Sequence, residues 1–456
     1  MLPALSRWVR EGPAASILPW RVRPALERWT VGHGYGGRSD PIGLTLGPDP
    51  AAAWLIFGGD VAMHRWQQAP GGHHPLRGLV GAMQSADVRV INLETQLTSR
   101  LTPAGVIGSS LRADPAAINI LAELGIDAVN CANNHCLDFG PDGLSESVTA
   151  LRSSGIAAIG MTGPDHSGRV VVDARGIRIG LLGFTDDWRY SGPMPTSAYP
   201  WAHDEAMVRS EIAAMKPLCD VLVVQLHWGY EWSMYPMRTQ RDLARSYVTA
   251  GANLVICHHA HVPMGVEAWG DGLIAHGLGN LYFGPPSREA HPFATASFLL
   301  RVGVTKTAVV CAGIIPVRTD AAGSVAVATG TAADKIHGAI RYLSSRLEGE
   351  SADGVEAWHV ANAGCHLLLD FARRISAGDA RGVSERLSGL EPPRQRWMIG
   401  RLKDSGGVTQ QIGSLLEVLR LETGGKVPSS LVPEIERLAP VAQQWVGRHP
   451  QIGRIP

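Results

Sequence analysis

Long apolar runs are missing from this chain. Charges and prolines break up the N-terminal stretch MLPALSRWVREGPAASILPWRVRPALERW before any apolar segment reaches signal-peptide length. No segment elsewhere approaches the ~20 apolar residues of a membrane span. The chain therefore reads as cytoplasmic, with no membrane partner. Net charge is missing too: Lys plus Arg number 41, and Asp plus Glu number 41. A general nucleic-acid binder would carry a strong basic bias, so nucleic acid is not an expected partner. Cysteine is scarce. Six in 456 residues, at 131, 136, 219, 257, 311 and 365, form no disulfide framework. Cys131 and Cys136 stand close enough to suggest zinc, but a structural zinc site commonly needs a second close pair, and there is none. They read as small buried residues. Internal repeats and low-complexity tracts are absent.

What is present is a 45% hydrophobic, 18% charged composition, which suits a soluble protein with a sizeable core. Residues 1–50, rich in Pro, Gly, Arg and Trp, show no clean period and read as an irregular extension. From residue 51 a pattern recurs. AAAWLIFGGD (51–60), ADVRVINLE (86–94), GIDAVNCANNH (125–135), RIGLLGFTDD (178–187), CDVLVVQLHWG (219–229), ANLVICHHAH (252–261) and GLIAHGLGN (272–280) are apolar strands with polar ends. Amphipathic helical stretches lie between them, among them 114–125, 143–155 and 239–251. This alternation predicts a layered α/β domain over 51–330. Residues 331–456 read as a helical C-terminal domain, with a change of texture beyond 352.

Nearly every strand delivers Asp, Glu, Asn or His at its C-terminal end, the edge where α/β sheets bind ligands. A rim of carboxylate, amide and imidazole groups suits a divalent metal such as manganese, iron, zinc or calcium, and composition does not choose among them. Such an ion would polarise a carbonyl or phosphoryl oxygen.

Taken in order, GGDVAMHR (58–65), VINLETQLT (90–98), NCANNHCLDFG (130–140), LLGFTD (181–186), VVQLHWGYEW (223–232), ICHHAHV (256–262) and HGLGNLYFG (276–284) resemble the capsule or poly-γ-glutamate biosynthesis family, usually called CapA-like. That family has the calcineurin-like metallophosphoesterase fold, an α/β/β/α sandwich. The resemblance covers roughly residues 54–320 and implies roles by position. Asp60 matches the first metal aspartate and Glu94 a bridging carboxylate. Asn134 matches the amide-oxygen ligand, and His135 the adjacent histidine that contacts substrate. His227, His259 and His261 match the remaining ligands. One or two divalent ions are implied.

One position departs from the pattern. The phosphoesterase motif has a histidine two residues after the first aspartate, where this chain has Ala62. His64 would compensate if its loop folded back; otherwise it is a surface histidine on the next turn. Asp138, three residues after His135, either orients that histidine or serves as a turn residue. Asp186 and Asp187 end a strand facing the rim and are candidates for touching substrate or water. His258 reads as a supporting histidine rather than a base.

Three functional classes fit. One is hydrolysis of a phosphoester, or of an amide such as a γ-glutamyl bond. Another is proton removal and return at a peptide α-carbon. The third is a capsule poly-γ-glutamate biosynthesis protein. The loss of the histidine at Ala62 weakens the first, and the absence of an apolar anchor weakens the third. The chain also looks like the lasso-peptide epimerases, a soluble actinobacterial branch of the CapA-like family. The favoured expectation is a metal-dependent epimerase converting an L residue to D in a ribosomal precursor peptide. Its expected acid/base groups are His135, Asp138, Asp186 and His261.

Overall fold

The computed structural model describes residues 44–45, 50–68, 74–104, 110–163, 166–186, 199–286 and 293–347, apart from 202, 230, 232–233 and 237. Toward the C-terminus it describes 371, 374–388, 399, 412, 414–416 and 431–448. The chain divides into two compact units, Met1–Glu350 and Ser351–Pro456.

Strands β1 (Ala53–Val61), β2 (Val88–Leu93), β3 (Ala128–Asn130) and β4 (Ala157–Ile159) run parallel and side by side. The chain then builds a second sheet from β5 (Val170–Ala174), β6 (Ile177–Thr185), β7 (Val221–His227), β8 (Leu254–His258), β9 (Val266–Trp269) and β10 (Gly272–Ala275). Their order is β5-β6-β7-β8-β10-β9, with a parallel centre and antiparallel edges β5 and β9. β11 (Asn280–Tyr282) returns to the first sheet beside β1. β12 (Ala296–Val304), β13 (Val309–Thr319) and β14 (Val325–Val327) complete that sheet in antiparallel fashion.

Strand alternation explains how the sheets stack. In β7, Val221 and Val223 join Leu55, Phe57 and Val90 of the first sheet in the core between the two sheets. Leu222, Val224 and Leu226 face the other way, onto Val208, Ile212 and Tyr247. Those last three belong to α3 (Glu205–Met215) and α4 (Arg238–Thr249). On the far face of the first sheet, Ile56, Ile91 and Val129 pack with Ile120, Leu121, Leu144 and Val148. Those four come from α1 (Ile118–Glu123) and α2 (Gly140–Ser153). Each fully buried aliphatic side chain contributes about 1.5–3 kcal/mol, so a one-residue slip of any central strand is heavily disfavoured. The result is the α/β/β/α calcineurin-like sandwich.

Two expectations need correction, and some elements were not expected. The segment 272–280 is two strands in different sheets, because its glycine-rich middle crosses from one sheet to the other. The helix α3 and the edge strands β5 and β9 lie outside the strand-ending motifs. Helix α5 (Gly330–Leu347), assigned from sequence to the C-terminal domain, packs on β9 and β13 of the first unit. Its Ile336 and Ile340 enter the core between the sheets, and its Ser344 hydroxyl accepts the Val266 N–H.

The described part of the second unit is helical, including α6 (Ala380–Ser388) and α7 (Leu431–Arg448). Val383 and Leu387 of α6 and Ile435 and Leu438 of α7 are buried. The N-terminal extension lies outside the described residues except for position 50 and Leu44–Thr45, which pairs with Ala312 and Cys311 of β13. Among the described residues, no helix is long and apolar enough to cross a membrane.

The crossing segment fixes the end of β1. The Asp60 N–H donates to the Gly279 carbonyl at 3.0 Å. A Cβ placed on Gly59 would lie 1.8 Å from that same carbonyl oxygen. Only glycine allows the two segments to approach so closely. Gly59→Ala is expected to cost about 1–3 kcal/mol and to lower the thermal melting temperature by several degrees. An unchanged melting curve would show that the contact yields easily.

Candidate metal centre

The C-terminal ends of the central strands of both sheets meet in one buried cluster. Asp60 lies near the end of β1, and Glu94 directly follows β2. Asn134 and His135 sit in the turn after β3. His227 is the last residue of β7, and His259 and His261 follow β8. Every one of these side chains is buried. His259 and His261 have φ of 86° and 60°, left-handed conformations that non-glycine residues seldom adopt. Each costs about 1–3 kcal/mol, and the surrounding fold holds them there.

The donor atoms converge on Glu94. Its Oε1 lies 3.7 Å from His227 Nε2, 3.7 Å from His261 Nε2 and 3.9 Å from His135 Nε2. His227 Nε2 is also 3.0 Å from Asn134 Oδ1 and 3.0 Å from His259 Nδ1. Two ligands sharing one ion at metal–ligand distances near 2.1 Å stand about 3–4 Å apart, which matches these separations. Asn134 supplies a further sign. Its buried Nδ2 has no hydrogen-bond partner while its Oδ1 points into the cluster. Among the described residues, three groupings hold ligand atoms within 4.8 Å of one another: Glu94, His227 and His259; Asp60, Glu94 and His261; and Glu231, His259 and His261. These clusters are compatible with a divalent ion.

Behind the ligands lies a ladder of amides. Asn92 Nδ2 donates to Asp60 Oδ1 at 2.8 Å and lies 3.1 Å from His227 Nδ1. Its Oδ1 accepts from Asn130 Nδ2 at 3.1 Å and from Asn133 Nδ2 at 3.4 Å. Asn133 Oδ1 in turn accepts the His135 N–H. Asn92 thus braces one residue from each of the first two groupings. Asp60 Oδ2 accepts the His259 N–H and lies 3.4 Å from His261 Nδ1, whose other neighbour is Asn280 Oδ1 at 2.9 Å.

The remaining sequence candidates separate clearly. Asp138 Oδ2 lies 2.7 Å from His135 Nδ1 and also accepts the Leu111 N–H, so Asp138 orients this histidine. Asp186 is exposed, its Oδ2 accepts the Gly229 N–H, and it belongs to none of the three groupings. Asp187 lies outside the described residues. His64 does not take the place of the histidine missing at Ala62. Its Nδ1 is buried without a hydrogen-bond partner, its ring meets Phe283 edge-on, and it joins none of the groupings. His258 lies against Gln225 and 3.4 Å from Asp60 Oδ1, in a supporting position. His276 turns away to Glu267, which also pairs with Arg245. The cysteines are bystanders: burial pushes the Cys131 thiol up to about 12 and the Cys136 thiol higher still. Sequence reasoning missed Glu231. The available signal was a carboxylate four residues after His227 in HWGYE.

Burial sets two histidines apart. For His227, burial and then the neighbouring His259 hold the pKa well below its usual value, so the ring is neutral near pH 7. For His261, burial alone would act the same way, but the Glu94 and Asp60 carboxylates reverse it and raise the pKa to about 10. Burial would raise the Asp60 pKa, yet His258 and His261 hold it well below the usual carboxylate range. Burial, with Arg65 and His135 nearby, lowers His64 to about 4.

Two facing sheets under helices, with buried ligand groups collected at the strand ends, are the arrangement of the calcineurin-like metallophosphoesterase fold. Within that fold the chain belongs to the bacterial capsule synthesis protein PGA_cap family, whose model matches residues 54–285. It is 29% identical over 181 residues to the capsule biosynthesis protein CapA of Bacillus anthracis, covering 38% of this chain and 44% of that protein. The PGA biosynthesis protein CapA of Bacillus subtilis is 30% identical over 178 residues, covering 38% of this chain and 47% of that protein. A probable polyglutamine synthesis accessory protein of Mycobacterium tuberculosis is 28% identical over 214 residues, covering 43% and 56%. The chain spans about half the length of these curated relatives. Among solved structures it is similar to a 5'-nucleotidase from Candida albicans, at 10% identity and TM-score 0.35, covering 65% of this chain and 58% of that one.

Two predictions follow from the wiring. An ion that uses His261 must expel its proton, so affinity at that ligand should rise about tenfold per pH unit below pH 10. Calorimetry in buffers of different ionisation enthalpy would count the released proton. No proton release near pH 7 would exclude His261 as a ligand of the ion measured. Asn92→Leu removes one buried hydrogen bond from each of Asp60, Asn130 and Asn133. It should cost about 1–3 kcal/mol of stability and about ten- to hundredfold in ion affinity. Wild-type ion affinity in this variant would show that Asn92 does not brace the ligands.

Proposed function

We propose that this chain is a metal-dependent acid/base enzyme acting on a peptide, and that it inverts the configuration at one α-carbon of a ribosomal, lasso-type precursor peptide. The observation that carries this reading is a pair of imidazole–carboxylate couples that converge on Glu94. His135 with Asp138 forms one and His261 with Asp60 the other, with Nε2 atoms 3.9 and 3.7 Å from the same Glu94 oxygen. Inversion requires a base on one face of the α-carbon and an acid on the other.

The Asp138 carboxylate accepts the Nδ1 proton of His135 and leaves the Nε2 lone pair available to take the α-proton. The C–H electron pair passes toward the adjacent carbonyl. A divalent ion held by Glu94, Asn134, His227 and His259 would supply Lewis acidity at that carbonyl. His261, protonated near pH 7, returns a proton to the opposite face. Exchange with solvent then resets both histidines.

The family favours a second reading. The names of the curated relatives point to capsule or PGA biosynthesis, and a metal-dependent reaction at a phosphoester or γ-glutamyl amide would use the same ligands.

Incubation of candidate precursor peptides in deuterium oxide separates these readings. Inversion adds one mass unit at a single α-carbon. Turnover of bis-p-nitrophenyl phosphate or a γ-glutamyl amide, without such exchange, would replace the epimerase with the hydrolase. His135→Ala should slow exchange from both epimers by about 10²–10⁴-fold with the melting temperature retained. Undiminished exchange would eliminate His135 as an acid/base group.

A further inference from the structure

Glu231 is the one member of the three ligand groupings that is not fully buried, and it reaches the cluster from the loop after β7. Its carboxylate stands within 4.8 Å of ligand atoms of both His259 and His261. No grouping joins Glu231 with Glu94, Asp60 or His227. The same two histidines also belong to the inner groupings, His259 with Glu94 and His227, and His261 with Asp60 and Glu94. One carboxylate and two imidazoles make a sufficient ligand set for a borderline divalent cation, with positions left for water.

We propose that Glu231, His259 and His261 form an outer cation position through which the ion enters and leaves the inner centre. Because both positions draw on His259 and His261, an ion passes from the Glu231 position to the inner one without losing both of its imidazole neighbours at once. The outer site offers an arriving hydrated ion a carboxylate and imidazole nitrogen before it reaches the wholly buried Glu94. The inner ligands have fewer degrees of freedom with which to meet it. Asp60 Oδ1 accepts from Asn92 and Oδ2 from the His259 N–H, and Ala62 supplies no donor. Glu231 thus gives the centre a carboxylate at its accessible side. This inference rests on ion binding at the centre and is independent of the reaction catalysed.

The test is the kinetics of Co2+ exchange in the full-length chain. Uptake is followed by the visible absorption of the bound ion, and release by transfer to excess chelator. A transit ligand lowers the barrier in both directions. Glu231→Gln should therefore slow uptake and release alike, each at least tenfold, with the equilibrium Kd within about twofold of wild type. Glu231→Ala should behave the same way. Uptake slowed with release unchanged would reduce Glu231 to long-range attraction of the cation and overturn the proposal. Release accelerated with a weakened Kd would make Glu231 a permanent ligand, which also overturns it. Rates equal to wild type, or a wild-type chain that binds no Co2+, would leave the outer position without a role. Deuterium exchange into peptide plays no part in this experiment, so failure of the epimerase reading leaves the result intact.

Discussion

The Asp60 carboxylate holds the centre together. It is a buried charge at the end of β1, and a buried carboxylate persists only where hydrogen bonds and opposite charge offset the loss of water. Asp60 meets that condition with groups from two distant parts of the chain: the Asn92 amide on one hand, and the His259 N–H with the imidazoles of His258 and His261 on the other. The close passage of Gly59 under Gly279 sets its height, and β11 alongside brings Asn280 to the far side of His261. The first sheet, the second sheet and the segment that crosses between them therefore meet on one carboxylate.

The asymmetry of the ligands follows from their neighbours. Burial and the neighbouring His259 outweigh the carboxylates near His227, and it stays neutral. His261 looks toward two carboxylates and keeps its proton. One buried cluster thus contains a ready ligand and a ready acid. Asp138 orients His135, because its Oδ2 fixes the ring while the Leu111 N–H fixes Asp138.

Much of this could be read from the sequence. Strand runs such as VLVVQLH alternate between two cores, and polar residues at their C-terminal ends marked the rim residue by residue. Asp60, Glu94, Asn134, His135, His227, His259 and His261 do come together. Harder to read were features set by tertiary contact. The break of 272–280 into two strands depends on glycines that pass between sheets, and a run of mixed apolar residues does not announce it. Helix α5 carries the amphipathic pattern of any surface helix, so only its packing on β9 and β13 assigns it to the first unit. Glu231 sits in a loop with no period. Asp186 looked like its neighbours at the rim, but it is exposed, and its Oδ2 accepts the Gly229 N–H. Ala62 was legible as a loss, while the position of His64 against Phe283 was not.

The hydrogen bond between His259 and Asp60 joins residues 199 positions apart in the chain. Contacts of such long range form only after the loops between them have closed, so they come late in folding. No fragment containing one sheet alone can assemble this ligand set. Cation capture is therefore a final step on an already folded scaffold rather than a nucleus for it. A captured ion then acts as a latch, because it ties together the last contacts made, and unfolding must break those contacts early.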